Sequence, residues 1–353
     1  MQSHGRLVAA KITTLATISV IALTACAGGS TSPNATEEST SPNAIGSESY
    51  KIVVMAASSQ NGYSQAVYQG IQEAAKASGV DIELQLLDGQ FDANTQLSQM
   101  QNATTSGNVD GVIVVPNGGP SLAAAFPLAT DTPVVSVLVP IGPDIEKMEP
   151  QVEGVVSTVA VAPSAAAAKQ AEGVVDYCAD INPCKVVLLM GFLASPLDVA
   201  RLKAYNEVLS KHDNIKVVAT TEGKYDPDAS LTAMTNVLQG NPDINVVLSN
   251  ADQNSAGAQI ALEAANIDVS SIYITGAGGT TAAVAAVRDG SWKADYLNFP
   301  VSMGRAALEQ LLNHLQGKDV ESWVDADTVG GIEPFATKET LDKTPEFLGE
   351  RDG

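Results

Sequence analysis

The chain has 353 residues, 45% of them hydrophobic and 5% aromatic, with 40 acidic against 19 basic side chains and a formal net charge of −21. A surface this acidic repels phosphate and has no basic patch to bind it, which excludes a nucleic acid partner. Behind an N-terminal leader and tether, about 305 residues remain, enough for a large core and more naturally two lobes than one.

Arg6 and Lys11 precede an apolar run from Ile12 to Leu23 that ends in Leu23-Thr24-Ala25-Cys26. A charged start, an apolar stretch too short to span a bilayer and small residues at its end describe a signal peptide over residues 1–25. Leu-Thr-Ala-Cys resembles the lipobox of bacterial lipoproteins, whose cysteine is acylated and becomes the new N-terminus; a plain secretory signal with an incidental cysteine is the alternative. On the lipoprotein reading Cys26 carries the membrane anchor, since two or more acyl chains hold a protein stably where one does not. Loss of the leader removes Arg6 and Lys11 and no acid, taking the charge from −21 to −23. Residues 26–49 are Gly, Ser, Thr, Pro, Asn and Glu with almost nothing apolar, the composition of a flexible tether.

The strand Lys51–Ala56 is apolar at consecutive positions, the pattern of a parallel sheet covered on both faces. A polar turn, Ser58–Tyr63, leads into a helix whose Val67, Ile71, Ala74 and Ala75 fall at i, i+4, i+7 and i+8, with Gly79 as its stop. Ligands of open α/β sheets sit beyond the carboxyl ends of the strands, so Asn61, Tyr63 and Ser64 face a cleft. The alternation continues with strands at 81–87, 111–116 and 133–138 and a helix at 94–105. A second series opens at the strand 155–161, with further strands at 185–190, 215–220, 246–249, 271–275 and 293–297. Its helices fall at 164–177, 197–209, 229–238, 255–265 and 282–287, and a last one at 303–315. Two such series predict an α/β chain of two doubly wound parallel-sheet lobes.

Cys178 and Cys184 are read as a disulfide, whose small loop contributes roughly 2 kcal/mol. A zinc site is the alternative, but two thiols with no histidine nearby make a poor ligand set, and no metal or cofactor is expected. His212 and His314 have no serine, cysteine or carboxylate partner in a recognisable local arrangement, so a hydrolytic triad lacks candidates. The glycine turn Ile274-Thr-Gly-Ala-Gly-Gly-Thr-Thr281 has Thr281 where a dinucleotide fingerprint needs its third glycine. The chain is not expected to be an enzyme.

Asn61-Gly-Tyr-Ser64 opening a helix, Gly111-Val-Ile-Val-Val-Pro116, Thr132-Pro-Val-Val135, Asn241-Pro-Asp-Ile244 and Ala251-Asp-Gln-Asn-Ser-Ala-Gly257 together resemble the periplasmic ribose-binding protein family over about residues 50–345. The resemblance implies a type I periplasmic binding fold with a three-strand hinge: one lobe of residues 50–160 plus 299–328, the other of 161–298 plus 329–345, and a tail of 346–353. It implies an extracytoplasmic receptor that closes on a sugar or sugar-like small molecule and delivers it as a monomer to an ABC transporter permease. A receptor serving a membrane signalling partner is the alternative.

Carried over position by position, the resemblance places Asn61, Tyr63 and Ser64 at the first ligand turn, with Ser64 where the family has a second aromatic. Its sugar-gripping Asp-Arg pair is Leu138-Val139 here. Its arginine after the strand ending at Met190 falls on Val199, with Arg201 two residues on. Its asparagine before Asp252 is Ala251, its later aspartate is Gly278, and its glutamine at the second crossing is Asn298. Losing two hydrogen bonds to charged groups, about 1.5–3 kcal/mol each, would weaken a pentose by roughly two to four decades. Either other residues grip a sugar, or the ligand is less hydroxylated and Tyr63, Leu138, Val139, Phe192 and Phe299 form an apolar wall. Asn117 and Asp198 complete the expected polar set. Each has a plainer reading for some members: a helix N-cap for Asp252, a turn for Asn117, a surface ion pair for Arg201 and lobe packing for Tyr63.

Overall fold

The computed structural model describes residues 49–126 and 131–352; the leader, Cys26 and all but the last residue of the expected tether lie outside the described residues. In chain order the first part comprises β1 (Ser49–Ala56), α1 (Gly62–Ala77), β2 (Asp81–Asp88), α2 (Ala93–Thr105), β3 (Gly111–Val114), α3 (Gly119–Ala123), β4 (Val134–Val137) and β5 (Val155–Ala160). The second part runs α4 (Pro163–Tyr177), β6 (Cys184–Met190), α5 (Pro196–Leu209), β7 (Ile215–Glu222), α6 (Pro227–Gly240), β8 (Val246–Ser249), α7 (Asp252–Ala264), β9 (Tyr273–Ala277), α8 (Thr281–Asp289) and β10 (Ala294–Tyr296). It ends with α9 (Pro300–Leu315), β11 (Trp323–Asp325), β12 (Phe335–Thr337) and α10 (Lys338–Asp342).

These strands form two six-stranded sheets, ordered β11-β5-β4-β3-β1-β2 and β12-β10-β9-β8-β6-β7. Every pairing is parallel except the antiparallel edge pair of β10 with β12. The chain changes sheet three times: after β5, after β10 and after β11. One expectation needs correction: the strand at 155–161, read as opening the second series, pairs with β4 and β11 in the first sheet. Helix α3 and the three-residue strands β11 and β12 were not anticipated, because each is too short to show a period.

Both faces of each sheet are covered. In the first lobe Ile52 and Val54 pack under α1 and α9 with Val67, Ile71, Met303, Leu308 and Leu311. The alternate residues Val53 and Met55 pack on the opposite face with Met100 of α2 and Leu122 of α3. The second lobe repeats this: Val187 and Leu189 meet Met234 and Leu262 on one side. Val186, Leu188 and Met190 meet Val174 and Tyr205 on the other. Burial on both faces is why these strands read as unbroken apolar runs. Cys178 and Cys184 are bonded, with Cα atoms 5.7 Å apart, and lie in that last core cluster.

The residues after α10 are no loose tail. The backbone at Arg351 bridges Thr280, with Thr281 N donating to its carbonyl at 2.8 Å. The Glu350 carboxylate accepts from Val301 N at 2.9 Å and Ser302 N at 3.0 Å at the start of α9. Those amides are unpaired donors of a helix N-terminus, where a carboxylate is favoured.

Candidate functional site

Beyond the carboxyl ends of the strands in both sheets lies a cavity of about 510 Å³. From the first lobe it is lined by Asn61, Tyr63 and Ser64 before and in α1, Phe91 before α2, Asn117 after β3, and Leu138, Val139 and Ile145 after β4. The second lobe contributes Phe192, Pro196, Leu197 and Arg201 around the start of α5, Tyr225 before α6, Asn250 and Gln253 around the start of α7, Asn298 before α9, and Arg351.

Much of the polar chemistry in the first lobe is already committed to holding the wall. The Asn61 carboxamide oxygen caps α1, accepting from Tyr63 N at 3.0 Å and Ser64 N at 3.2 Å. Asn117 Nδ2 donates to the Ala57 and Gly89 carbonyls at 3.1 and 3.3 Å, while its own amide donates to Gln96 Oε1 at 2.7 Å. Asn117 therefore ties three strand ends together. Ser64 differs: its hydroxyl is buried with no partner among the described residues, a group that costs stability until something satisfies it. The Tyr63 hydroxyl donates to Met303 Sδ at 3.2 Å, and burial pushes its pKa up.

In the second lobe Asp198 is fully buried and lies outside the cavity lining. It accepts from Phe192 N at 2.7 Å, Tyr225 Oη at 2.5 Å and Asn250 Nδ2 at 2.5 Å. The Arg201 guanidinium, which does line the cavity, lies 3.7 Å from its carboxylate. Asp198 thus acts through the side chains that it orients. Arg201 is no surface ion pair, since 12% of its side chain is exposed.

Asp252 and Gly278 likewise stand behind the lining. Asp252 does not cap α7, whose cap is Ala251; its Oδ2 accepts from Thr280 N at 2.8 Å. Its Oδ1 and that of Asp295 converge on Gly276, where a Cβ would lie 2.5 and 3.1 Å from them. Both oxygens are buried with no hydrogen-bond partner among the described residues. Burial, and then the neighbouring Asp252 carboxylate, lift the pKa of Asp295 well above the usual range, which favours its protonated form. Phe299, expected in the apolar wall, is instead 1% exposed in the second-lobe core with its ring against Phe347.

The raised pKa carries a sign. Asp295 keeps its proton in the folded state above the ordinary 3.8, so stability falls as pH rises between the unfolded and folded values, by about 1.4 kcal/mol per unit per proton. Asp295→Asn, which mimics the protonated group, is expected to flatten that slope relative to the parent chain. Urea unfolding of both at several pH values measures it, and identical slopes would place the proton elsewhere.

The sequence missed four lining residues that matter. Phe91 and Tyr225 sit at matching places in the two lobes, in Gly89-Gln-Phe-Asp92 after β2 and Gly223-Lys-Tyr-Asp226 after β7. In each turn the two middle residues have positive φ, 54° and 53° in one, 58° and 56° in the other. The closing aspartate caps the next helix. Such backbone costs about 1–3 kcal/mol per residue and recurs at binding sites. It turns the rings inward: Phe91 lies 5.6 Å from the Phe192 centroid and 6.3 Å from Tyr225, joining the lobes across the cavity. The repeated Gly-x-aromatic-Asp was the available signal. Asn250 had none beyond adjacency to Ala251, and Arg351 had none at all.

Two parallel-sheet lobes around a cavity that both of them line define a two-lobed solute-binding protein. The periplasmic binding protein domain matches residues 52–319, and the chain belongs to that family, whose members bind solutes and are not enzymes. The ribose import binding protein of Bacillus subtilis is 26% identical over 89% of this chain and 96% of its own length. The xylitol-binding protein of Mycolicibacterium smegmatis is 27% identical over 79% of this chain and 75% of its own. An ABC transporter solute-binding protein from Actinobacillus succinogenes, solved with bound D-allose, superimposes with a TM-score of 0.71 at 20% identity, covering 83% of this chain and 99% of that one.

Proposed function

We propose that this protein is a lipid-anchored extracytoplasmic receptor that captures a small sugar or sugar-like molecule between its lobes and delivers it to an ABC importer. The observation that carries the reading is the cavity of about 510 Å³ lined by both lobes, within the usual size for small-molecule sites. A ligand there contacts both lobes only when they are together, so binding shifts the population towards the closed form. The Phe91 contacts with Phe192 and Tyr225 favour the same form, by about 0.5–1.5 kcal/mol per ring pair. Relatives named for ribose and xylitol and a neighbour holding D-allose support a polyhydroxylated ligand. Ser64 Oγ and Asn250 Oδ1, both buried and unpartnered, are the polar atoms that a ligand hydroxyl would satisfy. The Cys26 anchor rests on the sequence of the leader.

The test has two stages. A ligand at 100 times its dissociation constant adds about 2.7 kcal/mol to the folded state, so a thermal-shift screen against pentoses, hexoses and polyols should return a hit. Uptake of that compound should then fall in cells lacking the protein, and unchanged uptake would favour the signalling role. Release of Cys26→Ser from the membrane fraction checks the anchor.

A further inference from the structure

Resting on that receptor reading, we infer that Arg351 is a ligand-recognising residue and that the ligand carries a carboxylate, as a sugar acid does. A chain of net charge −21 would be expected to present acids in its cavity. Yet among the described residues the only charged side chains lining it are Arg201 and Arg351. Arg201 has the buried Asp198 carboxylate beside it. Arg351 is 7% exposed, and its Nε and Nη1 are buried with no partner among the described residues. Three of its five N–H donors are therefore unspent.

The remaining contacts do not offset that charge. Nη2 reaches the neutral Gln253 Oε1 at 3.4 Å, and the guanidinium carbon lies 5.9 Å from the Tyr63 ring centroid. The nearby Asp252 spends Oδ2 on Thr280 N at 2.8 Å. A guanidinium withheld from both water and a full counter-charge is costly unless an anion arrives. The fork of donors suits a carboxylate in geometry and charge.

Residue 278 makes the place for it. A Cβ on Gly278 would lie 2.8 Å from Arg351 Nη2 and 2.7 Å from Asp252 Oδ2, so any side chain there displaces the guanidinium. Where the resemblance leads one to expect an aspartate, residue 278 is a glycine, and the Arg351 guanidinium stands beside it.

The experiment pairs acids with neutral counterparts: D-glucuronate, D-galacturonate and D-gluconate against D-glucose, D-galactose and myo-inositol, by thermal shift and then calorimetry. The acids should bind the parent protein more tightly. Arg351→Gln should weaken acid binding by about 30-fold or more while changing neutral binding less than about threefold. Arg351→Lys should recover part of the loss, and Gly278→Ala should reproduce it. Unliganded Arg351→Gln should melt no lower than the parent, because it removes an uncompensated buried charge; a merely structural arginine would lower it. Preference for neutral sugars, equal loss for both sets, or binding of glucose 6-phosphate without the carboxylates would overturn the inference while leaving the receptor standing. No shift with any compound would overturn both.

Discussion

Asp198→Ala is expected to destabilise the protein by about 3–5 kcal/mol, out of a total for typical domains of only about 5–15. The carboxylate is fully buried in the first turn of α5. Its removal strands the Phe192 amide and the Arg201 guanidinium and leaves the Tyr225 hydroxyl and Asn250 Nδ2 only each other, 3.1 Å apart. Burial lifts the Asp198 pKa against the combined pull of Arg201 and those donors. Ionising it there is therefore harder than in water, and the network adds little net stability. What it does is aim three cavity side chains, Arg201, Tyr225 and Asn250, and fix the backbone at Phe192. Replacing Asp198 and Arg201 together by apolar residues of similar size should recover the part of the loss that comes from the stranded guanidinium, though not the part from the unsatisfied Phe192 amide and Tyr225 hydroxyl, and leave ligand binding abolished. Urea unfolding and calorimetry on the single and double variants separate these effects. A double variant that binds normally would show that the network only supports the fold.

That network marks where sequence reading reaches its limit. The strands were legible because burial on both faces makes apolar residues consecutive, as in Lys51–Ala56. The first cavity turn was legible because Asn61 stands before the periodic run of α1. Sequence could not separate a side chain that touches the cavity from one that stands behind it: Arg201 and Asp198 are a turn apart on one helix, and only their depth differs. The resemblance points to Asp252, next to a family asparagine position, and to Gly278, at a family aspartate position, as ligand contacts, whereas here they frame the space that Arg351 enters. Arg351 lies in a stretch with no period, and long-range pairing with Thr280 sets its place. Strands β11 and β12 were silent for the same reason, three residues each being held by their neighbours rather than by their own pattern.

Gly304→Val is expected to cost about 3 kcal/mol or more, at or above the upper end of ordinary overpacking. Helices α1 and α9 cross with their backbones nearly touching: a Cβ at Gly304 would lie 2.1 Å from the Val67 carbonyl oxygen, and one at Gly70 only 1.9 Å from that of Val301. Neither obstacle is a side chain that could rotate away, so the helices must separate. Separation would open the core around Val67, Ile71, Met303 and Leu308, and lost packing then adds to the strain. It would also move Met303, which accepts the Tyr63 hydroxyl, and the start of α9, where Glu350 anchors the segment carrying Arg351. Ligand affinity should fall together with stability although residue 304 lies outside the cavity lining. Gly240→Ala is the control: it lies at the end of α6 with nothing within 4 Å of its added Cβ. There the substitution should be neutral or stabilise by about 0.4–1 kcal/mol through the unfolded chain. Thermal melts of the two variants decide it: comparable losses at 240 and 304 would mean that helix propensity, and not the close crossing, governs both.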